Sequence, residues 1–231
     1  MNHSIVGLIP CYNVAQHCEE IVKETSLYCT HLIVIDDGST DGTSEILKRM
    51  SSLYPNKIHL IEFQSNQGKG FGLIEGFKYA SENFDFEVLV TLDSDGQHAA
   101  RFIPQLVEPI FKGADLVIGS RLFSGMPLKN RLSNKIIAFL LRLVYRNAPI
   151  DTQSGMRGFS SSMIERLVQS IDGGRYEMEF RCLLLALREK KSIVEVPIPT
   201  IYINKNRSSH FAPLIDSYRI LKVLWDHLYQ K

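Results

Sequence analysis

Five short apolar runs separated by amphipathic stretches constrain this chain more than any other feature. The runs are Ser4–Ile9, His31–Ile35, Lys57–Phe63, Phe86–Leu92 and Asp115–Gly119. Each is short, rich in Val, Ile and Leu, and bounded by turn residues, so each reads as a buried strand. Between them Ala15–Cys29, Thr43–Leu53, Gly70–Asn83 and Arg101–Phe111 carry helical spacing. Parallel neighbours need a crossover, and a helix supplies it. The alternation therefore predicts an α/β chain with a Rossmann-like, mostly parallel sheet and helices on both faces. Asp41-Gly42-Thr43 reads as a turn into the second helix, with Asp41 or Thr43 as N-cap. After Gly119 the rhythm changes. A basic helix is expected over Arg131–Arg146, then the segment Asp151–Phe159, a helix from Ser161, another over Glu177–Lys190, and an extended run Ile193–Ile203. Leu214, Tyr218, Leu221, Trp225 and Leu228 form one stripe of a last helix, read as core.

The fourth apolar run ends directly in Asp93-Ser94-Asp95. Strand ends are where open α/β sheets bind ligands. Two carboxylates there repel each other unless they share a cation, and Mg²⁺ or Mn²⁺ held by few carboxylates keeps positions open for substrate phosphates. Asp36-Asp37-Gly38-Ser39 closes the second run in the same way. A carboxylate there can accept a hydrogen bond from a base N–H or a ribose hydroxyl; the plainer alternative is an Asx-type turn. Asn66-Gln67-Gly68-Lys69-Gly70 opens a helix after the third run. Its glycines allow close approach of the backbone, its helix start favours an anion, and Lys69 is a candidate phosphate contact. There is no GxxxxGK[ST] loop, and the first strand leads into Pro10-Cys11-Tyr12-Asn13 rather than GxGxxG.

The 231 residues are 45% hydrophobic, enough for one domain with a substantial core. The 26 basic and 25 acidic residues nearly cancel, which does not favour a nucleic-acid partner. Their distribution is uneven: residues 116–150 hold no acid but hold Arg121, Lys129, Arg131, Lys135, Arg142 and Arg146. Such a field suits phosphates or an anionic membrane surface. Ile136, Phe139, Leu140 and Leu143 lie among those cations, as in a helix resting at a bilayer interface; a helix packed on the core or a dimer contact has the same composition. Cys11, Cys18, Cys29 and Cys182 lack CxxC spacing and read as reduced thiols of a cytoplasmic protein. The run Ile5–Pro10 is too short for a signal peptide, and Ile136–Leu141 too short to span a bilayer.

Together these segments resemble family 2 glycosyltransferases, and among them the dolichyl- and polyprenyl-phosphate sugar synthases. The resemblance is carried by Pro10–Asn13, Asp36–Thr43, Asn66–Gly70 and Asp93–His98. It continues through Gly119-Ser120-Arg121, Asp151–Phe159, Tyr176–Glu179 and Ser208–Phe211, in order over nearly the whole chain. It implies a GT-A fold, a nucleoside-diphosphate sugar donor, Mg²⁺ or Mn²⁺, and inversion at the anomeric carbon. It divides the single domain 1–231 into a nucleotide-sugar part, 1–120, and an acceptor part, 121–231. Pro10, Tyr12 and Asp37, with Asp36 beside it, match base and ribose positions. Asp93 and Asp95, with Ser94 between them, match the DxD motif, and Gln97 matches a further metal ligand. Arg121 and Arg131 match arginines that meet phosphate oxygens, and Asp151 an aspartate near the acceptor. Met156 and Gly158 stand where relatives usually carry Phe and Ala. Tyr176–Glu179 differs from the eukaryotic mannose enzymes.

The expected reaction displaces a nucleoside diphosphate from a sugar, with polyprenyl phosphate as acceptor and contact at the membrane periphery. A lipid phosphate is already anionic and needs no strong base. A hydroxyl acceptor, as in cell-surface polysaccharide synthesis, would need one, with Asp151 the first candidate and Glu177 the second. A turn cap and a solvated helix-start charge are the plainer roles for these two. His98 and His210 read as hydrogen-bonded structural residues rather than ligands. A sugar nucleotidyltransferase should have a Gly-rich loop after the first strand, and a silent binding protein should have lost a metal carboxylate. An oligomer is compatible with the sequence.

Overall fold

The computed structural model describes residues 3–96, 99–121, 128–172, 177–199 and 222–223, and only the backbone of 128–133. Seven strands form one sheet: β1 Ile5–Cys11, β2 His31–Asp36, β3 Ile58–Glu62, β4 Val88–Thr91, β5 Leu116–Arg121, β6 Arg157–Ser160 and β7 Ile193–Ile198. Their spatial order is β3-β2-β1-β4-β6-β5-β7. Neighbours run parallel except at β6, which is antiparallel to both β4 and β5. Seven helices are described: α1 Ala15–Ser26, α2 Thr43–Leu53, α3 Lys69–Asn83, α4 Ile103–Phe111, α5 Leu128–Val144, α6 Ser161–Ser170 and α7 Met178–Arg188.

The strands are apolar on both sides because both sides are covered. In β1, Val6 and Leu8 face one layer, while Ile9 and Cys11 face the other; in β2, Ile33 and Ile35 oppose Leu32 and Val34. The first layer packs α3, α5, α6 and α7, through residues such as Phe77, Leu141, Leu167 and Leu183. The second packs α1, α2 and α4, through Val22, Leu47 and Leu106. Each fully buried aliphatic or aromatic side chain contributes roughly 1.5–3 kcal/mol of transfer free energy. All four cysteines are free and buried, and burial pushes the thiols of Cys29 and Cys182 up to about 12.

The expected elements form, with different ends. β1 runs on to Cys11, and β2 to Asp36, so pairing with β2 carries β1 to the lip of the site. β4 is shorter than the run Phe86–Leu92, and β7 stops at Ile198. α1 ends at Ser26, short of Cys29. The fourth helix begins as a 3-10 turn, Ala100–Phe102, before α4. The N-cap of α2 is Gly42, not Asp41 or Thr43. Asp41 still accepts from Thr43 N–H at 3.1 Å, and its other oxygen accepts from Ala15 N–H at 3.0 Å, so one side chain serves two helix starts. β6 carries no strand signal: it has four residues, begins with arginine and contains Gly158. Hydrogen bonding from both flanking strands makes it a strand. Of the C-terminal stripe only Val223 is nearby in the description, partly buried against the first layer; Leu214, Tyr218, Leu221, Trp225 and Leu228 lie outside the described residues.

Candidate active site

β1, β2, β4 and β5 are mutually parallel in sense, so their C-terminal ends share one edge of the sheet. That edge carries Pro10 and Tyr12, Asp36 and Asp37, Asp93 to Asp95, and Arg121. The loop Asp151–Met156 reaches the same edge because β6 runs the other way. The chain order reverses at β1 and β4, where open α/β sheets leave a crevice.

The β1–β2 side of this edge is built from interlocked turns. Asp37 accepts from Gln67 N–H at 2.6 Å and from Gly68 N–H at 3.0 Å. The amides expected to be offered to phosphate are thus engaged by a carboxylate. Gly38 has φ +71°, and a Cβ there would sit 2.7 Å from the Ser65 backbone. Only glycine lets the two loops touch. Asp36 makes the Asx-type bond, accepting from Ser39 N–H at 3.0 Å, and its other oxygen accepts from Ser44 Oγ. Asn13, at φ 53°, ties the end of β1 to this turn by accepting from Thr40 N–H at 2.8 Å. The two loops thereby form one rigid wall beside Tyr12.

The end of β4 centres on Asp93. Its Oδ1 lies 2.5 Å from Lys69 Nζ, and the same ammonium pairs with Glu179 Oε1. Burial works to lower the Lys69 pKa, but the charges of Asp93 and Glu179 outweigh it and hold the ammonium above its ordinary value. Lys69, the candidate phosphate contact, thus has two carboxylate partners here. Glu179 belongs to the matching segment Tyr176–Glu179, but a carboxylate in the first turn of a helix is ordinary and marks no role by itself. Here it is buried, on α7. Gly155 packs so close that an added Cβ would lie on the Asp93 carboxylate. Among the described residues no group of three or more His, Cys, Asp or Glu could hold a metal. Asp93 and Asp95 nevertheless suit a hard ion that takes one or two carboxylates plus phosphate oxygens, and Asp93 already holds a cationic group. Gln97 and His98 lie outside the described residues, as does His210.

Arg157 organises the floor. It is fully buried, and donates to the carbonyls of Ser154 at 2.8 Å, Glu179 at 2.6 Å and Thr152 at 3.0 Å. Burial lowers its pKa; neutral carbonyl acceptors rather than an ion pair satisfy the guanidinium. One side chain thus pins the loop before β6 to the start of α7. Nothing in the sequence marks this arginine as buried. Gln153 Nε2, Ser154 Oγ, Glu177 Oε2, Glu179 Oε2 and Arg181 Nε are buried without a hydrogen-bond partner among the described residues. Unpaired buried polar groups are costly, and these five gather on the loop before β6 and the first turns of α7.

Asp151 is fully buried and faces Arg121. Its Oδ2 accepts from Arg121 Nε at 2.7 Å and Arg121 N–H at 3.0 Å, and its Oδ1 from Arg121 Nη2 at 2.9 Å. Asn134 Nδ2 and Gln153 N–H also reach Oδ1, at 3.3 and 3.2 Å. Burial raises the Asp151 pKa, but Arg121 and the backbone donors prevail and hold it below the ordinary value. Such a carboxylate is a poor proton acceptor, and the turn-cap role is part of what it does. Asn134 is another residue the sequence hid, a polar position on the buried stripe of α5 that also accepts from Thr152 Oγ at 2.9 Å. Glu177 is no solvated charge: it is the N-cap residue of α7, mostly buried, with Oε1 4.0 Å from Arg181 Nη2. The Arg131 side chain and Tyr176 lie outside the described residues.

Known proteins share the sequence pattern and the fold of this chain. Residues 8–170 match the model of glycosyl transferase family 2. The chain is 33% identical over 213 residues to the UDP-N-acetylglucosamine–dolichyl-phosphate N-acetylglucosaminyltransferase of Methanococcus voltae, covering 84% of each chain. It is 29% identical to the polyprenol monophosphomannose synthase of Mycolicibacterium smegmatis, over 83% of this chain and 75% of that one. Glucosyl-3-phosphoglycerate synthase from Mycobacterium tuberculosis, solved with Mn²⁺, UDP and glucosyl-3-phosphoglycerate, superimposes with a TM-score of 0.70. That comparison has 19% identity and covers 98% of this chain and 80% of that one. The fold is GT-A, and the chain is a glycosyltransferase that belongs to glycosyl transferase family 2.

Proposed function

We propose that this enzyme transfers a sugar from a nucleoside-diphosphate donor to a polyprenyl phosphate, with inversion at the anomeric carbon and with Mg²⁺ or Mn²⁺ bound at Asp93 and Asp95. The observation that carries the acceptor assignment is the commitment of Asp151 to Arg121. Both carboxylate oxygens are engaged by N–H donors, so the first candidate base has no oxygen left for an acceptor proton. A phosphate monoester is already an anion and needs no base. The names of the Methanococcus and Mycolicibacterium relatives support the same acceptor class.

An acceptor phosphate oxygen attacks the anomeric carbon, and the bond from that carbon to the diphosphate breaks. Negative charge grows on the leaving nucleoside diphosphate. The divalent ion, when bound, neutralises part of it. Arg121 supplies a further cation at the end of β5, and Asp151 aims it. One strand, β6, separates β4 from β5, so the two strand ends stand about 10 Å apart, the span of a diphosphate and a sugar ring. The wall of Tyr12, Asp36 and Asp37 would take the base and ribose.

The acceptor reading extends to a membrane surface. α5 buries Ile137, Ala138 and Leu141 against the core, yet Ile136, Phe139 and Leu143 are exposed on its other side, next to Lys135, Arg142 and Arg146. Among the described residues no helix is long and apolar enough to cross a membrane. An exposed apolar stripe edged by cations suits lying at an anionic interface. The test is transfer from labelled UDP- and GDP-sugars to polyprenyl phosphate, with and without EDTA, beside flotation with vesicles of increasing anionic lipid. Product on the lipid phosphate, lost in EDTA, supports the reading. Transfer only to hydroxyl acceptors overturns it and returns Glu177 as the candidate base. Flotation that ignores anionic lipid removes the membrane part.

A further inference from the structure

The Lys69 ammonium sits against Asp93, one of the two carboxylates assigned above to the metal. It touches Asp93 Oδ1 at 2.5 Å and, on its other side, Glu179 Oε1. Its side chain is largely buried, as is that of Glu179. The second Glu179 oxygen, Oε2, is buried and has no hydrogen-bond partner among the described residues. An ammonium carries three donors and its stem pivots freely. Oε2 is thus a further acceptor on the carboxylate that Lys69 already pairs with.

We propose that Lys69 is an internal counter-ion that holds the metal's place on Asp93, and that Glu179 is the positioning residue onto which it withdraws when the metal and the donor diphosphate arrive together. The inference rests on the metal and nucleotide-sugar reading above and adds to it a coupling between the two ligands. A divalent ion arriving alone must displace a buried ammonium from Asp93, and repulsion between the two cations opposes it. A diphosphate arriving with the ion offsets that repulsion with negative charge. Metal and nucleotide therefore favour one another, and each binds weakly by itself. Glu179 makes the exchange feasible because a lysine expelled from Asp93 with no second carboxylate would be a buried, unpaired charge. Arg157 serves the same end by fixing the start of α7, through the Glu179 carbonyl, to the loop that carries Gly155 under Asp93.

The test measures Mn²⁺ affinity by titration calorimetry and by the electron paramagnetic resonance of free Mn²⁺, with and without UDP or GDP. Wild type, Lys69→Met and Glu179→Gln are compared, each checked for folding by circular dichroism. Lys69→Met should bind Mn²⁺ alone about tenfold or more tightly than wild type, and the nucleotide should then add less than it does in wild type, through its phosphate oxygens alone. Glu179→Gln should do the opposite, weakening Mn²⁺ alone, because Lys69 has lost its alternative partner. It should leave the nucleotide's effect on Mn²⁺ in place. The two variants move in opposite directions, so Glu179→Gln still tests the idea if Lys69→Met fails to fold. Unchanged or weaker Mn²⁺ binding in Lys69→Met overturns the proposal, as does unchanged binding in Glu179→Gln. Wild type that binds neither Mn²⁺ nor either nucleotide overturns the donor reading itself, and this inference with it.

Discussion

Replacing Asp151 by asparagine tests the most heavily committed carboxylate of the site. Five N–H groups converge on its two oxygens: two of Arg121 on Oδ2, and one each of Arg121, Asn134 and Gln153 on Oδ1. An amide keeps the shape but has one acceptor oxygen. In its better orientation that oxygen faces the three donors at the Oδ1 position, and its NH₂ group confronts Arg121 N–H and Nε–H. Each stranded buried donor costs about 1–3 kcal/mol. Arg121 is 19% exposed, so water recovers part of that, and the total comes to roughly 2–4 kcal/mol. For a chain of this length the melting temperature should fall by about 5–15 °C. The assay is thermal and urea unfolding at neutral pH and at a descending series of pH values. The folded-state pKa of Asp151 is depressed. Its stabilisation is therefore complete above the ordinary carboxylate range near ~4 and is lost as pH falls through the depressed folded value. The gap between wild type and Asp151→Asn should close in acid. A variant that melts within about 2 °C of wild type at neutral pH, or a gap that persists unchanged in acid, would refute the reasoning.

Three further outcomes are expected. Asp95→Ala should leave the unfolding transition near that of wild type, Asp93→Ala should lower it because Lys69 keeps only Glu179, and either should abolish metal-dependent transfer; turnover by either variant at wild-type rate would remove that carboxylate from the metal site. Gly155→Ala should fold, since no positive φ is needed there, but should weaken Mn²⁺ binding about tenfold or more by pushing the Asp93 carboxylate aside; calorimetry giving unchanged affinity would contradict the close approach. Arg121→Ala should lower kcat by roughly two orders of magnitude, the scale of losing one electrostatic stabiliser, with partial rescue in Arg121→Lys, which lacks the planar fork. Wild-type kcat in Arg121→Ala would leave the arginine a purely structural partner of Asp151.

The sequence by itself determined the layers, the parallel β1–β4 core and the strand ends where charge collects. Those features follow from local signals: runs of Val, Ile and Leu, helical spacing, and carboxylates immediately after a strand. Helix α2 was legible to the residue, and Asp36, Asp37, Asp93 and Arg121 do lie along one sheet edge. Tertiary structure alone decided which partner each of these groups has. β6 is a strand only because β4 and β5 bond it from both sides, and that reversal is what delivers Asp151 to Arg121. Arg157 is buried because three carbonyls from segments 22 or fewer residues away close around it. Lys69 meets Glu179 across 110 positions of sequence, from the start of α3 to the first turn of α7. Periodicity reports which face of an element is apolar. It carries no information about which charge on another element will stand opposite, because that depends on how the elements pack and on the water excluded between them.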